Sequence, residues 1–226
     1  MKHLKVILTS IALSIICQEI FAQGKRLVVN KGHWGSVVCV VFSPDGKLFA
    51  TAGRDQTVKL WNAQNGTLLY TLHQHLRSVT SVAFSPDGSQ LLSGSEDFTF
   101  CLWETRTGRL LKKVAAHPQK ITSVAFSPDG RQILTTSQDH TAKIWNAKNF
   151  SLIHTLQGHQ ASVNKAVFSP NGQQILTVSS DKTARLWQSN SGKLTQTFRG
   201  HKYAVQYAAF SSKNSQVVVT ADRRMI

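Results

Sequence analysis

The chain repeats itself every 42 residues, and this period constrains its fold more than any other feature of the sequence. Five histidines keep the interval: His33, His75, His117, His159 and His201. Five serines keep it too: Ser43, Ser85, Ser127, Ser169 and Ser211. Over four copies, tryptophan and aspartate do the same: Trp61, Trp103, Trp145 and Trp187, with Asp55, Asp97, Asp139 and Asp181. Such a period is typical of an array in which one structural unit is copied along the chain.

Each 42-residue copy has the pattern of four short strands separated by turns. The second copy alternates over Val79–Phe84 and then turns at Ser85-Pro86-Asp87-Gly88. Proline suits the first central position of such a turn, and glycine closes it. Three more short strands follow, at Gln90–Ser93, Thr99–Trp103 and Leu110–Val114. We therefore predict an all-β protein, a β-propeller in which each copy forms one four-stranded blade.

The periodic residues resemble those of the WD-repeat family. In the first copy the resemblance is carried by Gly32-His33, Phe42-Ser43-Pro44-Asp45-Gly46, Thr51, Asp55 and Trp61, although no Trp in this chain is followed by Asp. The resemblance implies four complete repeats and a partial fifth: 32–73, 74–115, 116–157, 158–199 and 200–226. The chain is identified as a truncated, bacterial-type member of the family, secreted or periplasmic.

The resemblance also implies a role for the periodic polar residues, a structural hydrogen-bond chain from Trp through Ser or Thr to His and Asp inside each blade. A buried network of this kind must be fully satisfied, and it then specifies the packing. The same residue types could suggest a proton relay. However, a catalytic site is rarely copied four times at the same distance from the axis of a propeller. We expect a structural network made of His33, Thr51, Asp55, Trp61, His75, Ser93, Asp97, Trp103, His117, Thr135, Asp139, Trp145, His159, Thr177, Asp181 and Trp187.

Catalytic, metal-binding and cofactor-binding patterns are missing from the sequence. The periodic histidines come one per blade, too far apart to share an ion, and no zinc-type cysteine pair, phosphate-binding glycine loop or nucleophile elbow occurs. A propeller hydrolase or lactonase should carry metal ligands along its axial channel. The first-strand positions in phase with Cys39 instead hold Ser81, Ser123, Lys165 and Tyr207. We expect no enzyme, no metal and no cofactor.

The first 22 residues have the order of a secretory signal peptide. Basic Lys2 and Lys5 precede an apolar run over residues 6–16, and the small residue Ala22 follows shortly. Bulky Ile15 and Ile16 before Cys17 do not fit a lipid-modification site. We expect a mature chain that begins at Gln23, is secreted or periplasmic and contains no transmembrane segment.

Two cysteines remain after residue 22. Cys39 falls in a first strand of the first blade, and Cys101 falls in a third strand of the second. First strands line the axis and third strands lie nearer the circumference, whereas a disulfide needs Cα atoms within about 7 Å. We expect two buried free thiols.

The charge is strongly positive. The full chain carries 26 basic and 11 acidic residues, and 24 and 10 remain after residue 22, a net charge of +14. Blade networks and turns account for all of these acids except Glu96, Glu104 and Asp222. The resulting field attracts anionic partners such as nucleic acid, lipopolysaccharide, acidic lipid or an acidic protein. The alternative is a basic composition without a functional partner.

One rim of the propeller is the expected binding surface, because the resemblance implies that ligand contacts concentrate just after the periodic His and just before the periodic Asp. Aromatic and basic residues, the usual composition of interface anchors, occupy several of these positions: Trp34, Arg54, Arg77, Lys120, Lys202 and Tyr203. We therefore predict a non-catalytic scaffold for protein–protein interaction. An envelope-transport propeller of the Tol type, which also uses the Phe-Ser-Pro-Asp-Gly turn, is the alternative within the binding class.

The fifth copy departs from the pattern. Ser211-Ser212-Lys213-Asn214 replaces the tight turn, Val219 occupies the Ser/Thr position and Arg223 occupies the Asp position. We expect an incomplete ring whose open blade edges allow self-association. The competing arrangement is a five-bladed ring in which Leu27-Val28-Val29 pairs into the last blade.

Overall fold

The computed structural model describes residues 21–22, 25–26, 32–211 and 218–222, and every regular element in these ranges is a β-strand. Two short strands, β1 (Phe21–Ala22) and β2 (Lys25–Arg26), pair antiparallel. Most of the expected signal peptide, 1–22, and the candidate closing segment Leu27-Val28-Val29 lie outside the described residues.

Four antiparallel four-stranded sheets follow one another along the chain, each with its strands in sequence order. Blade one contains β3 (Val37–Phe42), β4 (Leu48–Gly53), β5 (Thr57–Asn62) and β6 (Leu68–His73). Blade two contains β7 (Val79–Phe84), β8 (Gln90–Ser95), β9 (Thr99–Glu104) and β10 (Leu110–Ala115). Blade three contains β11 (Ile121–Phe126), β12 (Gln132–Ser137), β13 (Ala142–Asn146) and β14 (Leu152–Leu156).

Blade four and a two-stranded fifth sheet continue the series. Blade four contains β15 (Val163–Phe168), β16 (Gln174–Ser179), β17 (Ala184–Gln188) and β18 (Leu194–Phe198). Blade five contains β19 (Val205–Phe210) and β20 (Val218–Asp222). The all-β fold of repeated four-stranded blades that the sequence predicts is therefore confirmed.

Side-chain hydrogen bonds shape the turn between the first two strands of each complete blade. In blade two the Ser85 hydroxyl donates to the Asp87 carboxylate over 2.5 Å, and the Gly88 amide donates to the Ser85 carbonyl. Gly88 has a φ of +71°, a left-handed conformation that glycine adopts without steric cost. The turn sequence thus fixes where the first strand ends and the second begins.

The hydrophobic core lies between the blades. First strands of successive blades contact each other, and the first strand of each of blades two to five packs on the middle strands of the blade before it. In the layer between blades one and two, Ala52 and Leu60 meet Val79 and Val82, and all four are buried. Each blade therefore depends on its neighbours to cover its apolar faces, as expected of a repeat array.

In the fifth copy, the prediction that Val219 occupies the Ser/Thr position is wrong. Ala208 pairs with Thr220, just as Val40 pairs with Thr51 in blade one, and His201 Nε2 lies 2.8 Å from the Thr220 hydroxyl. Thr220, not Val219, occupies the Ser/Thr position, because seven residues separate the paired Phe210 and Val218, whereas six separate Phe42 and Phe49 in blade one. This longer connection moves the second strand by one residue.

Cys39 and Cys101 are free thiols; Cys101 is buried as expected, whereas the expectation that Cys39 is buried is wrong, because Cys39 is only half-buried. Burial raises the pKa of Cys101 to about 12, so its thiol stays protonated and inert at neutral pH. Within the ranges that the structure covers, no helix has the length and hydropathy to cross a bilayer.

Candidate interaction surface

The periodic polar residues form one continuous hydrogen-bond chain in blade three. His117 Nδ1 lies 2.7 Å from Asp139 Oδ2, and His117 Nε2 lies 2.8 Å from Thr135 Oγ1. The indole N–H of Trp145 donates to the same Thr135 oxygen over 3.0 Å. Because a carboxylate only accepts, Nδ1 carries the proton and Nε2 accepts from the threonine hydroxyl.

The other three complete blades repeat this geometry, with closest distances between 2.7 and 3.1 Å. The participating sets are His33 with Thr51, Asp55 and Trp61, His75 with Ser93, Asp97 and Trp103, and His159 with Thr177, Asp181 and Trp187. All four histidine side chains are at most 3% exposed. Both ring nitrogens are occupied and shielded from water, so these imidazoles offer no free base to a substrate.

The electrostatics of the network keep its carboxylates ionised, and in blade four they favour a neutral histidine. Burial raises the pKa of Asp139, but hydrogen bonds from His117 and Thr141 outweigh it and bring the pKa to about 2. The pKa of Asp181 is also lowered to about 2, because bonds from Thr183 and His159 outweigh burial. Burial lowers the pKa of His159 despite its carboxylate partner. The His159–Asp181 pair is therefore a charge–dipole hydrogen bond at neutral pH.

Sequence reasoning missed one further member of each network. A threonine two residues after each network aspartate donates its hydroxyl to that carboxylate over 2.6 to 2.8 Å: Thr57, Thr99, Thr141 and Thr183. These threonines keep the 42-residue period, which is the signal that could have identified them.

The network also builds one rim of the array. The carboxylate of Asp55 accepts the backbone N–H of Trp34, and the Arg54 N–H donates to the Ser36 carbonyl. Residues 34–36 and 54–56 and the equivalent segments of blades two to four form a surface that we call the His–Asp rim. These segments are 76–78 and 96–98, 118–120 and 138–140, and 160–162 and 180–182. The turns after the first strands, such as residues 43–47, lie at the other ends of the same strands. Buried hydrogen bonds thus hold the rim segments in place.

In blade one, Trp34 and Arg54 project from this rim. Trp34 is 100% exposed although its backbone is held by Asp55. Arg54 is exposed, and its Cβ is near Gly35, where an added Cβ would lie 3.3 Å away. The structure therefore exposes both of these expected binding residues on the same rim of blade one.

In blade two, the expected residue Arg77 lies beside apolar side chains. Its guanidinium carbon lies 5.5 Å from the centre of the Phe98 ring, a cation–π contact. Leu76 is 74% exposed, and its N–H is held by Asp97. Phe98 was not among the expected residues, because the residue type at its position changes from copy to copy although the positive φ repeats: Gln56, Phe98, His140 and Lys182.

The remaining expected residues differ in position and pairing. Lys120 in blade three is half-buried, and its Nζ lies 3.3 Å from Glu96 of blade two, so this cation is already paired. Lys202 and Tyr203 are exposed on blade five, at the far end of the series from Trp34. Three of the six expected residues, Trp34, Arg54 and Arg77, therefore lie on blades one and two.

Metal binding has no support in the part of the chain that is described. No cluster of three or more His, Cys, Asp or Glu side chains there is arranged to hold an ion. Each periodic histidine is bonded within its own blade.

Curated proteins match single stretches of the chain. A stretch of 41 residues, 18% of the chain, is 51% identical to serine-threonine kinase receptor-associated protein of Dictyostelium discoideum and covers 14% of it. A stretch of 49 residues, 22% of the chain, is 41% identical to periodic tryptophan protein 2 of Arabidopsis thaliana and covers 5% of it. Eukaryotic translation initiation factor 3 subunit I of Phaeosphaeria nodorum is 44% identical over 48 residues, 21% of the chain and 14% of that protein. The matches thus span a small part of each relative.

A protein-family model matches most of the chain. The WD domain, G-beta repeat model covers residues 24–62, 66–104, 108–146, 150–188 and 192–226. Its second to fourth segments each begin before the outer strand of one blade and end at the residue after the network tryptophan of the next. The five matched repeats, the four-stranded blades and the periodic His–Asp hydrogen bonds show that the chain belongs to the WD-repeat family.

Proposed function

We propose that this protein is a non-catalytic scaffold that binds another protein through the His–Asp rim of blades one and two. The observation that carries the proposal is the complete exposure of Trp34 on a backbone held by Asp55. An exposed aromatic side chain on a backbone that is already fixed loses little backbone freedom on binding, and tryptophan is enriched among the residues that dominate interface energetics.

The neighbouring residues of blade two extend this surface. Leu76 offers exposed apolar area, and Arg77 is a cation held against the Phe98 ring. An apolar anchor beside a cation suits a partner with an apolar side chain next to an acidic group. The family membership supports the same kind of function, since WD repeats serve as protein-interaction platforms.

We further propose that the partner is anionic and that the protein acts in the cell envelope or outside the cell. The net charge of +15 and the signal-like order of residues 1–22 support these two points. Export is tested by mass spectrometry of cell fractions, with Gln23 expected as the first residue of the envelope product. Intact Met1 in a cytosolic product would contradict it.

Affinity capture from an envelope extract tests the binding function. We expect the wild-type chain to retain a partner that Trp34→Ala and Arg77→Glu both lose. Arg131→Glu is the matched control, because Arg131 is an exposed arginine in a turn at the other end of the strands. If the control loses the partner as fully as the two rim variants, then the rim is not the binding surface. An anionic partner should also bind more weakly as salt rises from about 50 to about 200 mM.

A further inference from the structure

The outer face of blade one is built as a blade–blade contact surface, yet no described residue covers it. Val40 and Phe42 project from this face of β3 and are 50% and 62% exposed. At the Val40 position the next two blades have Val82 and Val124, which are only 3% and 5% exposed. The same kind of side chain is thus buried in the internal blades and open to solvent in blade one.

Every internal junction shows what covers such a face. A first-strand pair of each blade is buried against the middle strands of the preceding blade: Val79 and Val82, Ile121 and Val124, Val163 and Ala166, Val205 and Ala208. Between blades four and five, Leu176 and Val178 supply the covering surface for Val205 and Ala208. The phenylalanines in phase with Phe42 are also packed into these layers: Phe84, Phe126, Phe168 and Phe210.

The covering half of this contact is exposed at the other end of the series. Ala221 of β20 pairs with Tyr207 as Ala52 of β4 pairs with Cys39. Ala52 and its counterpart Val178 are fully buried by the next blade, whereas Ala221 is exposed. One chain therefore presents both halves of the same contact, one on blade one and the other on blade five.

Side chains on the first strands also connect successive blades, and in each case the earlier blade donates a hydrogen bond to the later one. Thr80 donates to the Ile121 carbonyl, Thr122 to the Val163 carbonyl and Asn164 to the Val205 carbonyl, over 2.5 to 2.8 Å. Gln206 of β19 is the next donor position in this series. The residue of blade one in phase with the acceptors Ile121, Val163 and Val205 is Val37, so its carbonyl is the corresponding acceptor.

We propose that two copies of this chain associate head to tail, with blade one of one copy seated on blade five of the other. Val40 and Phe42 are buried against the face that carries Ala221, and the Gln206 side chain donates to the Val37 carbonyl of the second copy. This contact is heterologous, because different surfaces of the two copies meet. It uses sheet faces, whereas the sequence suggested association through open strand edges. The proposal is independent of the rim, so rim variants leave it intact.

Sedimentation velocity over a range of concentrations tests this association on the mature chain and two variants. The wild type is expected to sediment faster as its concentration rises. Val40→Asp and Ala221→Asp each place a charge in one half of the contact, and each variant alone is expected to remain monomeric. Mixed together, the two variants are expected to form a dimer, because each retains the half that the other lacks. Leu69→Asp is the control, an exposed apolar position on the outer strand of blade one, and it is expected to associate like wild type.

Three outcomes would overturn the proposal. A wild-type monomer at every concentration would exclude the association. Dimerisation of Ala221→Asp alone would indicate contact between two blade-one faces. Undiminished association of Val40→Asp would place the contact elsewhere. If a variant fails to melt cooperatively, Phe42→Lys replaces Val40→Asp, since Phe42 is the more exposed of the two.

Discussion

The Nζ of Lys113 donates to the carbonyl oxygen of Gln74 over 2.8 Å. In blade three the corresponding carbonyl, that of Ala116, accepts from Lys143 over 2.7 Å. Lys143 lies on the third strand of blade three, whereas Lys113 lies on the fourth strand of blade two. The two ammonium groups therefore reach equivalent carbonyls of their own blades from different strand positions. Blade two has Cys101 at the Lys143 position, directly paired with Lys113. The lysine on the fourth strand thus compensates for the cysteine on the third.

This compensation predicts a specific double-variant result. Lys113→Ala should cost about 1–2 kcal/mol in the free energy of unfolding, because the Gln74 carbonyl and the buried Asp97 lose a charged partner. The double variant Cys101→Lys, Lys113→Thr recreates the arrangement of blade three and should recover most of that loss. Urea denaturation measures both. Lys148→Ala, at an exposed lysine in the turn after β13, is the control and should change stability by no more than about 0.5 kcal/mol.

The His117 network predicts a stability effect at a single histidine. His117→Ala removes one buried hydrogen bond from Asp139 and one from Thr135 and should cost about 1–3 kcal/mol. Thermal and urea denaturation provide the measurement. His73→Ala, at an exposed histidine at the end of β6, should leave the melting temperature unchanged. Equal melting temperatures for the two variants would mean that the periodic histidine does not stabilise its blade.

The lowered carboxylate pKa values predict a loss of stability in acid. Asp139 and Asp181 have a folded-state pKa of about 2, below the ordinary value of 3.8, so the unfolded chain binds protons first as pH falls. Their contribution is complete above about pH 4 and disappears as the pH approaches 2. The lowered pKa of His159 adds a loss that begins below its ordinary value of 6.5. Melting temperatures between pH 2 and 7 should follow this course, and Asp139→Asn should show a smaller change below pH 4 than wild type.

Most of the fold could be predicted from the sequence, because its period fixes the strand pattern, the turns and the network residues together. The expected strand Val79–Phe84 has the bounds that the structure gives. Thr220 could not be placed in this way, because one additional residue in the preceding connection breaks the phase that the argument relied on. Periodicity identifies what the copies share and is weakest where one copy differs.

The proposed binding surface was harder to predict, because it depends on features that do not repeat from copy to copy. Trp34 and Arg77 stand out by residue type, but the bonds by which Asp55 and Asp97 hold the N–H groups of Trp34 and Leu76 do not follow from residue type. Lys120 has a binding-type side chain, yet Glu96 of the neighbouring blade pairs with it. Such contacts between blades join residues 24 positions apart that share no period.

Hydrogen exchange with and without the captured partner tests the central claim most directly, because it reports which backbone amides the partner protects. If the His–Asp rim of blades one and two binds the partner, peptides that contain residues 34–36, 54–56, 76–78 and 96–98 should exchange more slowly in the complex. Turns at the opposite ends of the strands, residues 43–47 and 85–89, should exchange as in the free protein. Protection confined to those opposite turns, with the rim unchanged, would contradict the account.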